Sequence, residues 1–223
     1  MESGAVFNAS NTITLASWGL SSTGVLNMAG AKLNILQATG LQVGGTTSRS
    51  NSVGTLNMLA NTTNTMMGGG SILLGNAANV TGVLNLQSGS ALNATNSAIN
   101  LGSTSGGIGF LNMTNASLVI TGNVNIGSAS GGTGTLMMTN STLTAGGWTI
   151  GNSGGTGTVS FGQGSVVTLP ALSTTRTAGS YATLTFDGGT LSNRAASTSY
   201  LQGLDHAYLT TNGAIFNVGA NIT

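Results

Sequence analysis

Few groups in this 223-residue chain can do acid–base or ligand chemistry. The acids are Glu2, Asp187 and Asp205, the strong bases are Lys32, Arg49, Arg176 and Arg194, and His206 is the single histidine. A glycosidase needs two carboxylates held at a set separation across the scissile bond. Glu2 lies near the terminus, which leaves Asp187 and Asp205, in an irregular stretch whose pattern gives no reason for convergence. Asp205-His206 with nearby Ser199 supplies the residue types of a nucleophilic triad. A triad is defined by geometry, however, and adjacent strand residues point to opposite faces, so no local Asp–His bond is expected. Gly131-Gly132-Thr133-Gly134-Thr135 looks like a phosphate-binding loop but lacks the lysine and the following helix, and reads as a corner turn. Between Arg49 and Arg176 the chain has no Asp, Glu, His, Lys or Arg, so this stretch has no general acid or base. The expectation is a non-enzymatic protein with no catalytic residue, no cofactor and no metal site. Cysteine is absent, excluding disulfides and thiolate sites, and no repeated aspartate marks a calcium-binding roll.

Binding chemistry is equally sparse. Trp18 and Trp148 could stack on sugar rings, although Trp148, beside Thr149-Ile150-Gly151, reads as an inward packing residue. Asn61-Thr62-Thr63, Asn79-Val80-Thr81 and Asn115-Ala116-Ser117 are glycosylation sequons that an Asn/Ser/Thr-rich composition generates on its own. Charged residues make up 3% of the chain, against about 25% in ordinary soluble domains. A net charge of +1 cannot form a phosphate-binding surface, so no nucleic-acid partner is expected. With 39% apolar residues and a mean hydropathy of +0.28 the chain is not compositionally disordered. Every apolar run is broken within a few residues, none nearing the roughly 20 of a membrane-spanning helix. The segment Met1 to Val6 has neither the basic nor the apolar region of a signal peptide.

A water-exposed but nearly uncharged chain requires a particular set of elements, and internal repeats reveal them. Gly-x-Leu-Asn-Met recurs at Gly24 to Met28 and Gly54 to Met58, as Gly82 to Leu86, and at Gly109 to Met113, with degenerate copies at Gly134 to Met138 and Gly157 to Phe161. The interval from one of these glycines to the next shortens steadily along the chain, within the range of periods that marks a solenoid, a propeller or an array. A second segment recurs as Lys32-Leu33-Asn34-Ile35, Ala91-Leu92-Asn93-Ala94 and Ser117-Leu118-Val119-Ile120. A third recurs as Leu73-Leu74-Gly75, Asn100-Leu101-Gly102 and Asn125-Ile126-Gly127. Each alternates apolar with polar, the period of a half-buried strand, and the Gly, Asn, Ser and Thr density disfavours helix.

Three short strands per repeat are too few for a propeller blade of about 40 residues and four strands. They fit one coil of an all-β, single-stranded, right-handed parallel β-helix (β-solenoid) of about 7–9 coils, each about 4.8 Å from the next. Alternation then puts a structural core inward: Leu26, Met28, Leu56, Met58, Leu84, Leu86, Leu111, Met113, Leu136 and Met138. Asn27, Asn57, Asn85 and Asn112 fall outward as an amide ladder. The methionines read as core filler. Coil-on-coil stacking lets a narrow apolar core suffice, and uncharged side chains suit in-register stacking, because like charges opposite one another destabilise paired strands. Residues 1–170 read as regular coils, and 171–223 as a less regular continuation of the same domain. That continuation has strands at Ala182 to Phe186 and Ala214 to Val218, and an excursion around 192–206 whose Tyr200 to Leu204 covers the wall. The chain stops at Asn221-Ile222-Thr223 without the polar cap a solenoid end needs, so a fragment of a longer protein is expected.

These motifs, Gly-Thr-Leu-Asn-Met, the Ile-Gly ending and Gly-Gly-Thr-Gly-Thr, resemble the passenger β-helices of bacterial autotransporters, above all the autotransporter-associated β-strand repeat proteins. The tail strengthens the likeness: Leu184-Thr185-Phe186-Asp187-Gly188-Gly189-Thr190-Leu191, Tyr200 to Leu204, then Asn212-Gly213-Ala214 to Thr223 resembles that family's recurring block. The resemblance covers nearly the whole chain and specifies fold far better than activity. It implies a secreted, bacterial cell-surface protein with its signal peptide and anchor elsewhere. The expected function is an extracellular structural rod or stalk, with neighbouring coils of the parent protein, or the chain itself stacking end to end into filaments, as partners. An adhesin binding surface glycans is the alternative, ahead of a polysaccharide-degrading enzyme or an ice-binding surface. The latter needs regular Thr-x-Thr arrays, and Thr12-Ile13-Thr14, Thr142-Leu143-Thr144 and Thr183-Leu184-Thr185 do not fall in successive coils.

Overall fold

A computed structural model describes residues 1–16, 21–36, 40–45, 51–170, 172–173, 177–195 and 201–217. Trp18, Arg49, Arg176, Ser199, Tyr200, Val218 and Asn221-Ile222-Thr223 lie outside the described residues. Among those described there is no helix, and twenty-five strands form three parallel sheets of nine, eight and eight strands. One eight-stranded sheet has the longest strands and is here the long sheet; it holds the Gly-x-Leu-Asn-Met segments: Thr23–Met28, Val53–Met58, Thr81–Gln87, Ile108–Thr114, Thr133–Thr139, Thr156–Phe161, Tyr181–Phe186 and His206–Leu209. The middle sheet runs from Val6–Ala9 and Lys32–Ile35 through Ser117–Ile120 to Thr190–Asn193 and Ile215–Asn217. The third sheet runs from Ile13–Leu15 and Leu41–Val43 through Asn123–Ile126 and Gly147–Ile150 to Leu172–Ser173 and Leu201–Gln202. Each strand pairs with its counterpart one repeat away, as in Leu26↔Leu56, Leu84↔Leu111 and Leu136↔Val159. The chain is a parallel β-solenoid with three strands per coil.

The core lies along the axis between the sheets. Leu56, Met58, Leu84, Leu86, Leu111, Met113, Leu136 and Met138 are buried, and Val159, Phe161, Leu184 and Phe186 extend their columns. Met28 is buried, while Leu26, on the edge strand of its sheet, is partly exposed. Burying each such side chain stabilises by about 1.5–3 kcal/mol, so stability accumulates coil by coil. As the repeat shortens, the inward positions carry rings. Trp148 lies 5.6 Å from Phe161, and Phe161 5.4 Å from Phe186, centroid to centroid. Phe7 and Phe216, inward positions of the two edge strands of the middle sheet, stay exposed.

The repeated glycines belong to one corner. Gly75, Gly102, Gly127 and Gly151, which end third-sheet strands, have φ between +57° and +65°. A Cβ on any of them would fall on the carbonyl oxygen of Ile108, Thr133, Thr156 or Tyr181, respectively, in the next coil's long strand. A Cβ on Gly82, Gly109, Gly134 or Gly157 would in turn meet the backbone nitrogen of Gly75, Gly102, Gly127 or Gly151. Two backbones touch here, so the two glycine columns specify each other. The opposite corner uses asparagine: Asn61, Asn115 and Asn140 are left-handed (φ +46° to +56°), a conformation Asn tolerates better than most residues. Asn79, between Gly75 and Gly82 at the glycine corner, has φ +58°. The asparagines of all three sequons are therefore corner residues, and turn geometry, rather than composition alone, accounts for their positions.

The tail departs from the expected excursion around 192–206. Leu201–Gln202 is a rung of the third sheet, paired with Leu172–Ser173, and His206–Leu209 is a rung of the long sheet, paired with Tyr181–Phe186. Leu201 and Gln202 therefore extend the wall rather than cover it, and residues 196–200 are outside the described set. The reason is register: the step along the chain from Thr183 to its partner His206 equals the step from Gly134 to Gly157 in the regular coils.

Candidate functional site

The amide column on the long sheet is bonded along the axis. Asn57 Nδ2 donates to Asn27 Oδ1 at 2.7 Å, Asn85 to Asn57 at 2.7 Å and Asn112 to Asn85 at 2.9 Å. The next rung carries Met137, which is 53% exposed, followed by Ser160, Thr185 and Tyr208. Sequence reasoning missed equivalent pairs on the other faces: Asn34 donates to Asn8 and Asn125 to Asn100, each at 2.7 Å. At the asparagine corner Asn140 donates to Asn115 at 2.5 Å. The signal was present, since these residues share a position within the period.

The methionine column has a polar companion the sequence reading did not single out. Asn64 points inward, opposite Leu33 and Leu92, and is buried. Its Oδ1 accepts the Leu33 N–H at 3.1 Å and its Nδ2 donates to Met58 Sδ at 3.1 Å. Thr62 beside it is buried and donates to the Met28 carbonyl at 3.0 Å. A buried amide is tolerated when it is bonded, and thioether sulfur is a weak acceptor.

Asp187, Asp205 and His206 lie along the last two rungs of the long sheet, whereas Glu2 and Lys32 lie at the other end of the solenoid. Asp187 Oδ1 accepts the Thr210 hydroxyl and the Asn212 amide, the latter at 2.8 Å, tying one corner to the next. These bonds, Thr210 first, hold its carboxyl below the ordinary value of 3.8. Asp205 Oδ2 accepts the Ala182 N–H at 2.6 Å. The pairing Thr183↔His206 through Phe186↔Leu209 puts Asp205 opposite residue 182 and Asp187 opposite residue 210. Five residue steps along the strand separate them, about 16 Å along the sheet at 3.3 Å per residue. Glycosidase carboxyls lie about 5–9.5 Å apart, so register does not bring this pair together. No group of three or more His, Cys, Asp or Glu side chains occurs among the described residues.

Instead of meeting Asp205 in a triad, His206 joins an aromatic patch. Its ring lies 5.6 Å from Tyr181 and 5.5 Å from Tyr208, with the second pair 16° from parallel. All three side chains point outward from adjacent rungs, and Tyr181 and Tyr208 are 43% and 50% exposed. Sequence reasoning missed this patch because it hinges on the Thr183↔His206 register. Trp148, read from the sequence as an inward packing residue, is a core residue.

No family model matches the chain and no curated protein matches it. Among solved structures, a crystal structure of a TibC-catalysed, hyper-glycosylated TibA fragment aligns over 98% of this chain and 97% of that one. The two share 16% identity at a TM-score of 0.15, a likeness too slight to argue from. No helix among the described residues is long and apolar enough to cross a membrane.

Proposed function

We propose that the chain is a segment of a non-enzymatic, extracellular structural rod or stalk of a bacterial surface protein. The observation that carries this reading is the unbroken register of the long sheet from Thr23–Met28 to His206–Leu209, coil on coil, with uncharged side chains on its outward face over most of that length. Such a stack sets a distance: each coil adds about 4.8 Å, and any regular coil can stand for another. The likeness of its motifs to autotransporter-associated β-strand repeats supports a place beyond the cell envelope, and the spacing of Asp187 from Asp205 fits a non-catalytic wall. The test is deletion of residues 82–108 in the full-length surface protein, which joins Thr81 to Gly109 in register. The expected result is a folded, still displayed rod shortened by about 4.8 Å. Proteolysis of intact cells that leaves the chain untouched would overturn the surface placement. Polysaccharide cleavage by the chain that is abolished in Asp205→Asn would overturn the non-enzymatic reading.

End-to-end stacking of the 223-residue chain by itself is a second reading: in that chain Phe7 and Phe216 are core-column side chains on parallel edge strands. Unpaired edges accept another strand, and a near-neutral surface does not oppose it. Sedimentation of the 223-residue chain across a concentration series tests this: growth that Phe216→Lys abolishes supports it, and a monomer throughout overturns it.

A further inference from the structure

On the outward face of the long sheet, the three columns running up to Tyr181, Thr183 and Thr185 carry hydroxyls in the preceding coil: Thr156, Thr158 and Ser160. In the last two rungs that surface changes character. Tyr181 replaces a threonine, and His206 and Tyr208 follow Thr183 and Thr185. The chain has three tyrosines and one histidine, and two of those tyrosines and the histidine meet here. Thr183 keeps only 9% exposure although it faces outward, with Tyr181 two residues before it on the strand and His206 opposite. The rings do not sink into the core, where Ala182, Leu184 and Phe186 of the same strand are buried. They form an exposed aromatic surface edged by hydroxyls.

We propose that Tyr181, His206 and Tyr208 form a stacking site for neutral saccharide. The C–H faces of a pyranose pack on aromatic faces, and its equatorial hydroxyls find partners in Thr158, Ser160 and Thr185 on the same face. Rings with one apolar and one polar edge suit a ligand of that mixed character. Neutral sugar is favoured over a charged one because, among the described residues, the column positions Thr156, Thr158, Ser160, Tyr181, Thr183, Thr185, His206 and Tyr208 include no lysine or arginine, and the Asp205 carboxylate is engaged by the Ala182 N–H. The same lack of cations argues against a single-stranded nucleic acid, whose phosphates would go unpaired although its bases could stack. The site adds an activity to the proposed scaffold and does not depend on it.

Because His206 is the only histidine, its imidazole C–H resonances report on the patch alone. The experiment titrates the 223-residue chain separately with cellohexaose, maltohexaose and chitohexaose while following those resonances by NMR. The expected result is a saturable shift with at least one of them, with a dissociation constant of order 1 mM. Tyr181→Thr and Tyr208→Thr install the residues already present one rung earlier, Thr156 and Thr185, so the coil keeps a side chain it accommodates. Each should weaken binding at least about tenfold, whereas Tyr208→Phe, which keeps the ring, should retain it. Three outcomes overturn the proposal: no shift with any hexasaccharide, a shift undiminished in the Tyr181→Thr/Tyr208→Thr variant, or a shift produced by oligothymidylate and not by the sugars.

Discussion

The regular coils from Val53 to Leu169 and the rungs from Tyr181 to Asn217 share a backbone register but not a chemistry. In the first region no formally charged side chain occurs, the corner is closed by paired glycines, and the outward column begins with hydrogen-bonded asparagines. In the second, Ala182 takes the place of Gly157 in register, Asp187 and Asp205 anchor backbone and corner groups, and rings occupy the outward face. The sequence after Leu172 also lacks the glycine that ends earlier third-sheet strands, reading Ser173-Thr174-Thr175 where Thr149-Ile150-Gly151 stood. Both glycine columns therefore stop, in the sequence, before the second region. Register is therefore carried by the inward apolar columns and the sheet hydrogen bonds, while the corner and the outward face are free to vary.

Glycine-to-alanine substitutions break this comparison most sharply. Gly127→Ala places a Cβ on the Thr156 carbonyl oxygen at a residue with φ +62°. Thermal and urea unfolding should show a loss of about 3 kcal/mol or more, or no folded chain at all. Ala182→Gly, at the register partner of Gly157, removes one buried methyl and adds backbone freedom, and should cost only about 1 kcal/mol. Equal costs at the two positions would mean that the glycine corner does not distinguish the regions.

Most of the architecture was legible because the signals were periodic. Leu56, Leu84 and Leu111 sit one repeat apart, and alternation alone assigned them and Asn57, Asn85 and Asn112 to opposite faces. The tail was less legible because its Gly-x-Leu-Asn-Met motif has decayed to Ala182 to Phe186 and then to Asp205 to Leu209, where no glycine or Leu-Asn-Met survives to mark the rung. With that rung unread, His206 and Tyr208 could not be placed beside Tyr181. Asn64 was hidden for the opposite reason: it occupies an apolar position in a regular repeat, and only its contacts with Leu33 and Met58 account for an amide there.

The asparagine ladder is the next lever in size. Asn57 both donates to Asn27 and accepts from Asn85, so Asn57→Ala removes two bonds at one site and should cost about 1 kcal/mol by urea unfolding. Thr158→Ala, on the same face where no amide ladder runs, should cost less. A reversal of that order would remove the ladder from the list of what distinguishes the regular coils.

Asp187 gives the second region a pH response the first cannot have. Its bonds to Thr210 and Asn212 depress the folded-state value below 3.8, so the stabilisation they give is present above the unfolded value and is lost as pH falls through the lower, folded one. The wild type should therefore melt above Asp187→Asn at neutral pH, and the two curves should converge in acid below about pH 4. The Asp187 side chain is only partly buried, so the gap is small. A gap that widened in acid would contradict the assigned direction.

The smallest effect tests whether the ladder can be lengthened. Met137 lies in register with Asn112 on one side and Ser160 on the other, and its side chain is exposed, so it contributes little packing. Met137→Asn places an amide one coil beyond Asn112, within reach of the bond that Asn112 already makes to Asn85 at 2.9 Å. Asparagine has the poorer strand propensity, which opposes the added bond, so the net gain should be only a few tenths of a kcal/mol. Amide exchange at Asn112 and Met137 resolves so small a change, because it reads local opening rather than global unfolding. Slower exchange would show that an amide ladder is set by side-chain identity at one register position. Unchanged or faster exchange would mean that the flanking coils, whose repeat is already shortening around Met137, no longer hold successive amides in bonding distance.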